Sequence, residues 1–115
     1  MTSITGETFT VDLAEDSSTV TFKGALRLSG MDEYAPILEL LNRTLSNGAA
    51  MVALDLRELE FLNSSGITMF SRFVIEARNR SHCNLLFLAS EAIPWQTRSL
   101  RNLQRLMPSL NIVRT

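Results

Sequence analysis

The chain has 115 residues, a formal net charge of −1 and a single cysteine, Cys83. That length suits one domain, residues 1–115, with a modest core, and a lone cysteine excludes an internal disulfide and a cysteine-based metal cluster. A near-neutral balance gives no reason to expect direct nucleic-acid binding, and no apolar run approaches the roughly 20 residues that a membrane span needs.

The start, "MTSITGETFTVDL", is polar and acidic and lacks the basic-then-apolar pattern of a secretory signal, so a cytoplasmic protein is expected. "TFTVDL" alternates and reads as a strand, "AEDSS" as a polar turn, and "TVTFKGAL" as a second strand with Val20, Phe22 and Gly24 on one face. These two segments are suited to antiparallel pairing. The pattern changes at Ser29 and Gly30. From about residue 33 to 46, Ile37, Leu38, Leu41 and Leu45 recur at helical spacing. Pro36 is expected in that helix's first turn, where a missing N–H costs little. Asn47-Gly48 supplies the stop.

"MVALDL" is a short apolar run and reads as a buried strand. A second helix is expected over about 64–81, with Ile67, Phe70, Val74 and Ala77 as its stripe and Arg78 and Arg80 in its last turn. "NLLFLA" is another buried strand. Pro94 opens a third helix, carrying Leu100, Leu103 and Leu106, and Pro108 closes it before a weak strand, "LNIVR". Strands alternating with helices predict an α/β fold with a mixed, mostly parallel sheet and three or more helices packed against it.

Charge is unevenly spread. Residues 1–60 hold four Lys/Arg against ten Asp/Glu, and residues 61–115 hold seven against two. The two halves are expected to complement each other within one fold.

Catalytic apparatus is hard to find. A nucleophilic serine needs a nearby base, and the only histidine, His82, sits about 25 Å along the predicted helix from Ser65. His82 reads as a solvated helix-end residue. The glycine expected two residues before the nucleophile of a G-x-S-x-G elbow is absent. So are phosphate-cradling glycine loops, and the single lysine, Lys23, lies in a predicted strand. Asp55, Glu58 and Glu60 lie around a strand end with no metal-ligand spacing and read as a solvated edge. Arg98, Arg101 and Arg105 share one side of the third helix as its wet face, and Trp95 reads as a core or rim anchor. The chain is not expected to be an enzyme or to need a cofactor or metal.

"LNSSG", residues 62–66, stands out by what it leaves over. Asn63 or Ser64 is a good N-cap for the second helix, and Gly66 permits a tight turn. Capping uses one side chain, and three small polar ones are present. A phosphate on a spare serine there would meet free N–H groups and the positive end of the helix dipole. It would add nearly two negative charges without unfolding anything.

The ordered set "FKGALRLSGMDEYAPILELL", "MVALDLRELEFLNSSGITMF" and "CNLLFLAS" resembles the STAS domain of bacterial anti-sigma factor antagonists over nearly the whole chain. Leu54-Asp55-Leu56, Phe61-Leu62 and Ser64-Ser65-Gly66 match the family's L-D-L strand, connector and D-S-S-G helix start. The resemblance implies phosphorylation at Ser65, with Ser64 as the lesser candidate. It implies a GHKL-type serine kinase that is itself the anti-sigma factor, and a metal-dependent serine phosphatase that resets the site. It also implies a partner surface of Arg27, Ser29 and Asp32 together with Asn63, Ser64, Ser65, Gly66 and Ile67. Where the family has aspartate, this chain has Asn63, which still caps a helix but removes a negative charge beside the acceptor. A constitutive STAS subunit of a larger complex, such as a lipid-transport system, is the alternative, and a homo-oligomer stays open.

Overall fold

The computed structural model describes residues 2–80 and 83–115. Six strands form one sheet in the order β1 to β6: β1 Thr2–Thr5, β2 Phe9–Ala14, β3 Thr19–Leu26, β4 Met51–Leu62, β5 Asn84–Ala89 and β6 Asn111–Arg114. The pairs β1–β2 and β2–β3 are antiparallel, and β3–β4, β4–β5 and β5–β6 are parallel. Helices α1 Gly30–Ser46, α2 Ser64–Asn79 and α3 Pro94–Leu106 supply the three crossovers. The mixed, mostly parallel sheet with three helices is the predicted arrangement.

Each parallel step moves one place in the same direction across the sheet. Right-handed crossovers in one direction carry every helix to the same side. Burial follows that rule: Val11 and Leu13, Val20 and Phe22, Val52, Leu54 and Leu56, and Leu85 and Phe87 alternate inward under the helices. The opposite face carries Thr10, Thr21 and Lys23 toward β1, and Met51, Leu86 and Val113 toward β6. Beneath the helices Phe22 meets Phe70 edge to face, with centroids 5.3 Å apart, a geometry that adds to the area buried.

Several boundaries differ from those expected. Strand β1 was not anticipated, because four residues with one apolar member, Ile4, carry almost no alternation signal. Helix α1 begins at Gly30, whose φ of +69° turns the chain into it. Pro36 therefore lies in the interior rather than the first turn, exposed on the side of α1 toward β1. Leu38 is half-buried, and Tyr34, Leu40 and Thr44 join the buried face. Helix α2 ends at Asn79 with Arg80 as C-cap; Ser81 and His82 lie outside the described residues. Strand β4 runs six residues beyond "MVALDL", so Glu58 and Glu60 lie within a strand, not around its end. Lys23 reaches Glu58 at 3.7 Å, and Arg57 forks onto Asp55 at 2.8 Å.

The extension of β4 has a physical cause. Strand β5 pairs with β4 only as far as Asp55. Beyond that point the freed edge is met by side chains from the start of α3. The Gln96 amide donates to the Leu56 carbonyl (2.6 Å) and the Leu59 carbonyl (3.2 Å), and the Trp95 indole donates to Leu59 at 2.9 Å. Gln96, 1% exposed, also accepts from the Ser90 N–H. Trp95 is thus the rim anchor its position suggested. Two side chains thus stand in for a missing strand on this edge, while on the other the ladder with β3 runs on to Leu62.

The two charge halves do not complement each other. The sequential strand order places chain position along the sheet, so the acidic half lies toward β1 and the basic half toward β6. Among the described residues the ion pairs are Lys23–Glu58, Asp55–Arg57 and Glu76–Arg80, and none joins one half to the other.

Candidate functional site

The strands β3 and β4 end side by side, with Leu26 paired to Leu62, at the edge from which the parallel connections leave. The loop into α1 and the start of α2 are therefore neighbours, and Asn63 fastens them together. Its N–H donates to the Leu26 carbonyl at 3.2 Å. Its side-chain Oδ1 accepts from the Gly66 N–H at 3.0 Å, capping α2. The same oxygen accepts from the Tyr34 hydroxyl of α1 at 2.7 Å, and Nδ2 donates to the Leu28 carbonyl at 2.8 Å. One amide thus ties the β3–α1 loop, α1 and α2.

That geometry explains the departure from aspartate. An aspartate keeps the cap and accepts from Tyr34, but has no donor for Leu28 and would set a carboxylate oxygen against a carbonyl. Gly66 has a different role from the one expected. Its φ is not positive; its need is space. A Cβ there would overlap the Leu62 side chain and lie 2.9 Å from the Tyr34 hydroxyl oxygen.

Capping by Asn63 leaves both serines unused. Ser64 is exposed and Ser65 half-buried. Neither hydroxyl, and neither N–H, has a hydrogen-bond partner among the described residues. The first turn of α2 holds no acidic residue, so the positive end of its dipole is not offset from within.

Around the serines the surface is mixed. Arg27 lies over the Phe61 ring at 4.2 Å from its centroid. Phe61 is 38% exposed, one of three large apolar residues with such exposure among the described residues. Contact with the ring steadies the guanidinium and leaves N–H donors for a carboxylate or phosphate. Ser29 and Asp32 are exposed and Ile67 is half-buried. The Ser29 N–H is taken by Glu33 Oε1 at 2.9 Å, which closes the start of α1 in place of a Ser29 side-chain cap. The structure therefore gathers Arg27 and Ser29 of the β3–α1 loop and Asp32 of the first turn of α1 beside Asn63, Ser64, Ser65, Gly66 and Ile67. It adds two residues that were not among the expected contacts, Tyr34 and Phe61. Phe61 carried no signal in the sequence: alternation puts it on the same face as buried Leu59, and it turns outward because the ladder with β3 shifts register between them.

Tyr34 is fully buried, and burial pushes its phenol above the ordinary value of 10.0, against a smaller opposing effect of the Leu28 backbone. A raised pKa stabilises the fold below pH 10 and withdraws that contribution as pH climbs through the folded value. The buried Cys83 thiol is shifted the same way from 9.0. Tyr34→Phe is expected to lower stability by about 1–2 kcal/mol at neutral pH by removing the bond to Asn63. It should also flatten part of the stability loss above pH 10, leaving the Cys83 part. Urea melts of both proteins from pH 7 to 11 check this; parallel pH profiles would refute it.

No family model matches the chain, and no curated relative does. Solved structures do. SiaC of Pseudomonas aeruginosa superposes with a TM-score of 0.75 at 13% identity, covering 100% of both chains. The fold is shared with SiaC. SiaC in complex with the diguanylate cyclase SiaD, which it activates, gives 0.76 at 13% identity over 100% of both chains. Apo-SiaC gives 0.73 at 13% identity, over 100% of this chain and 99% of that one. The six-stranded, helix-backed sheet is thus a STAS-like, SiaC-like arrangement. Among the described residues no helix is long and apolar enough to cross a membrane.

Proposed function

We propose that this protein is a non-enzymatic regulator that works by exchanging partners, with Ser65 as its phosphate acceptor and Ser64 as the lesser candidate. The docking surface is the β3–α1 loop and the first turn of α1, through Arg27, Ser29 and Asp32, together with the start of α2, through Asn63, Ser64, Ser65, Gly66 and Ile67. The observation that carries the reading is the pair of unbonded serine hydroxyls at a helix start that Asn63 already caps. A phosphate there would change the charge of the surface while the Asn63 bonds hold its shape. A GHKL-type kinase and a metal-dependent phosphatase are the enzymes the STAS resemblance implies for writing and erasing it. The cytoplasm is the compartment that fits such partners.

What the partner is can be narrowed. The STAS resemblance implies an anti-sigma factor. The likeness to SiaC, the activator of the diguanylate cyclase SiaD, supports instead an enzyme whose activity depends on docking.

The test joins mass spectrometry to binding. Protein isolated from its native cells is expected to carry phosphate on Ser65 under at least one growth condition. Ser65→Glu is expected to weaken binding of the copurifying partner about tenfold or more, or about 1.4 kcal/mol. Its own stability should be unchanged or slightly raised, because an acid suits a helix's first turn. Absence of phosphate under all conditions, with equal binding by Ser65→Glu, would leave the constitutive-subunit alternative standing.

A further inference from the structure

The sheet has two free edges, and they differ. Strand β1 borders a groove against α1 with two lobes of about 440 and 520 Å³ that share Ile4 and Pro36. Phe9, Ile37 and Leu40 add to its apolar floor, and Glu7, Glu33 and Glu39 to its rim. Arg43 stands at the far end, and Arg27 is engaged with Phe61. Within the second lobe Asn42 contributes Oδ1, a buried acceptor with no partner among the described residues. The bond from the Gly6 N–H to the Phe9 carbonyl fixes the alternation of the hairpin, so the backbone groups of Ser3 and Thr5 face outward.

Strand β6 is the other edge. Thr115 exchanges bonds with Ala89 and Glu91, so alternation turns the backbone groups of Ile112 and Arg114 outward. Both residues lie on the helix side of the sheet, because they pair with the buried Phe87 and Ala89. The exposed arginines of α3, Arg98, Arg101 and Arg105, flank this end.

We infer that β6 of one copy adds to β1 of a second copy, head to tail, continuing the sheet from molecule to molecule. Three observations carry the match. The strands run in the same direction, since β1 is antiparallel to β2, β2 to β3, and β3 through β6 are parallel. The added strand would lay Ile112 and Arg114 over a groove with an apolar floor and an acidic rim, as side chains alternate with a period of two. Residues 1–60 and 61–115 carry −6 and +5, and no ion pair among the described residues neutralises one half with the other. A net charge of −1 leaves little overall repulsion to oppose contact. Both edge strands are only four residues long, so the contact is weak and depends on charge. Such an interface does not close on itself and builds open chains. Its groove adjoins the serine surface at Arg27 and Leu28, but the inference does not rest on the proposed function, and its failure would leave that reading untouched.

Sedimentation velocity tests it across protein concentration at about 0.01 M and about 1 M ionic strength. Screening lengths there are roughly 30 Å and 3 Å, against a longest molecular extent of 33 Å. Sedimentation is expected to rise with concentration at low salt, without a plateau at dimer, and to stay monomeric at high salt. Thr5→Pro and Arg114→Pro each remove one outward N–H. Each alone is expected to stay monomeric, and Thr5→Pro mixed with Arg114→Pro should give dimers joined through the two intact edges. Should either proline variant lose its circular dichroism signal, Glu7→Lys with Glu39→Lys and Arg114→Glu take their place. Each of these should lose association alone and recover it on mixing. A monomer at low salt, association that survives high salt, or a closed dimer indifferent to both blocks would each overturn the inference.

Discussion

Replacing Gln96 by leucine is expected to lower stability by about 2–4 kcal/mol, among the largest effects of any single exchange in this protein. The volume is conserved, so the cost is polar. Gln96 holds the Leu56 carbonyl at 2.6 Å and receives the Ser90 N–H at 2.8 Å. Leucine leaves both without a partner in a site 1% exposed. The Leu59 carbonyl is spared, because the Trp95 indole still reaches it. Chemical denaturation with an unchanged m-value isolates the stability term. A midpoint equal to that of the parent would mean that water or a backbone shift replaces the glutamine. The effect should also reach the serine surface, since Gln96 braces the stretch of β4 that ends at Asn63.

The second large effect concerns Asn63. Asn63→Asp, the change toward the STAS motif, is expected to destabilise the fold by about 1–3 kcal/mol. The cap to Gly66 and the bond from Tyr34 survive, and the loss is confined to the bond with Leu28. Asn63→Ala should cost more, about 2–4 kcal/mol, because it also removes the cap and leaves the buried Tyr34 hydroxyl unpaired. The order of the two midpoints is the informative result. If Asn63→Asp were as stable as the parent, the amide would not be what joins the β3–α1 loop to α2.

Local pattern made much of this fold legible. "TVTFKGAL" and "NLLFLA" are strands β3 and β5 residue for residue, and Pro94 and Asn47-Gly48 mark real helix ends. Asn63 was readable as a cap because its partner is three residues away. What escaped depends on contacts far along the chain. Tyr34 meets Asn63 across 29 residues and Gln96 meets Leu56 across 40, and no period or propensity encodes either. The length of β4 was hidden for the same reason, since "RELEFL" is held by pairing with β3 on one edge and by α3 side chains on the other. Charge was misjudged for want of strand order: uneven halves neutralise each other in a sheet whose order interleaves them, and here the order is sequential.

That sequential order bears on how the chain is made. A sheet whose strands are laid down one beside the next never needs a segment that has yet to be synthesised. As β4 leaves the ribosome, β3 is already there to receive it, and the same holds for β5 and β6. At each stage one growing edge is open, at the newest strand. The exposure that invites misassembly in parallel sheets is thus brief and moves along with synthesis.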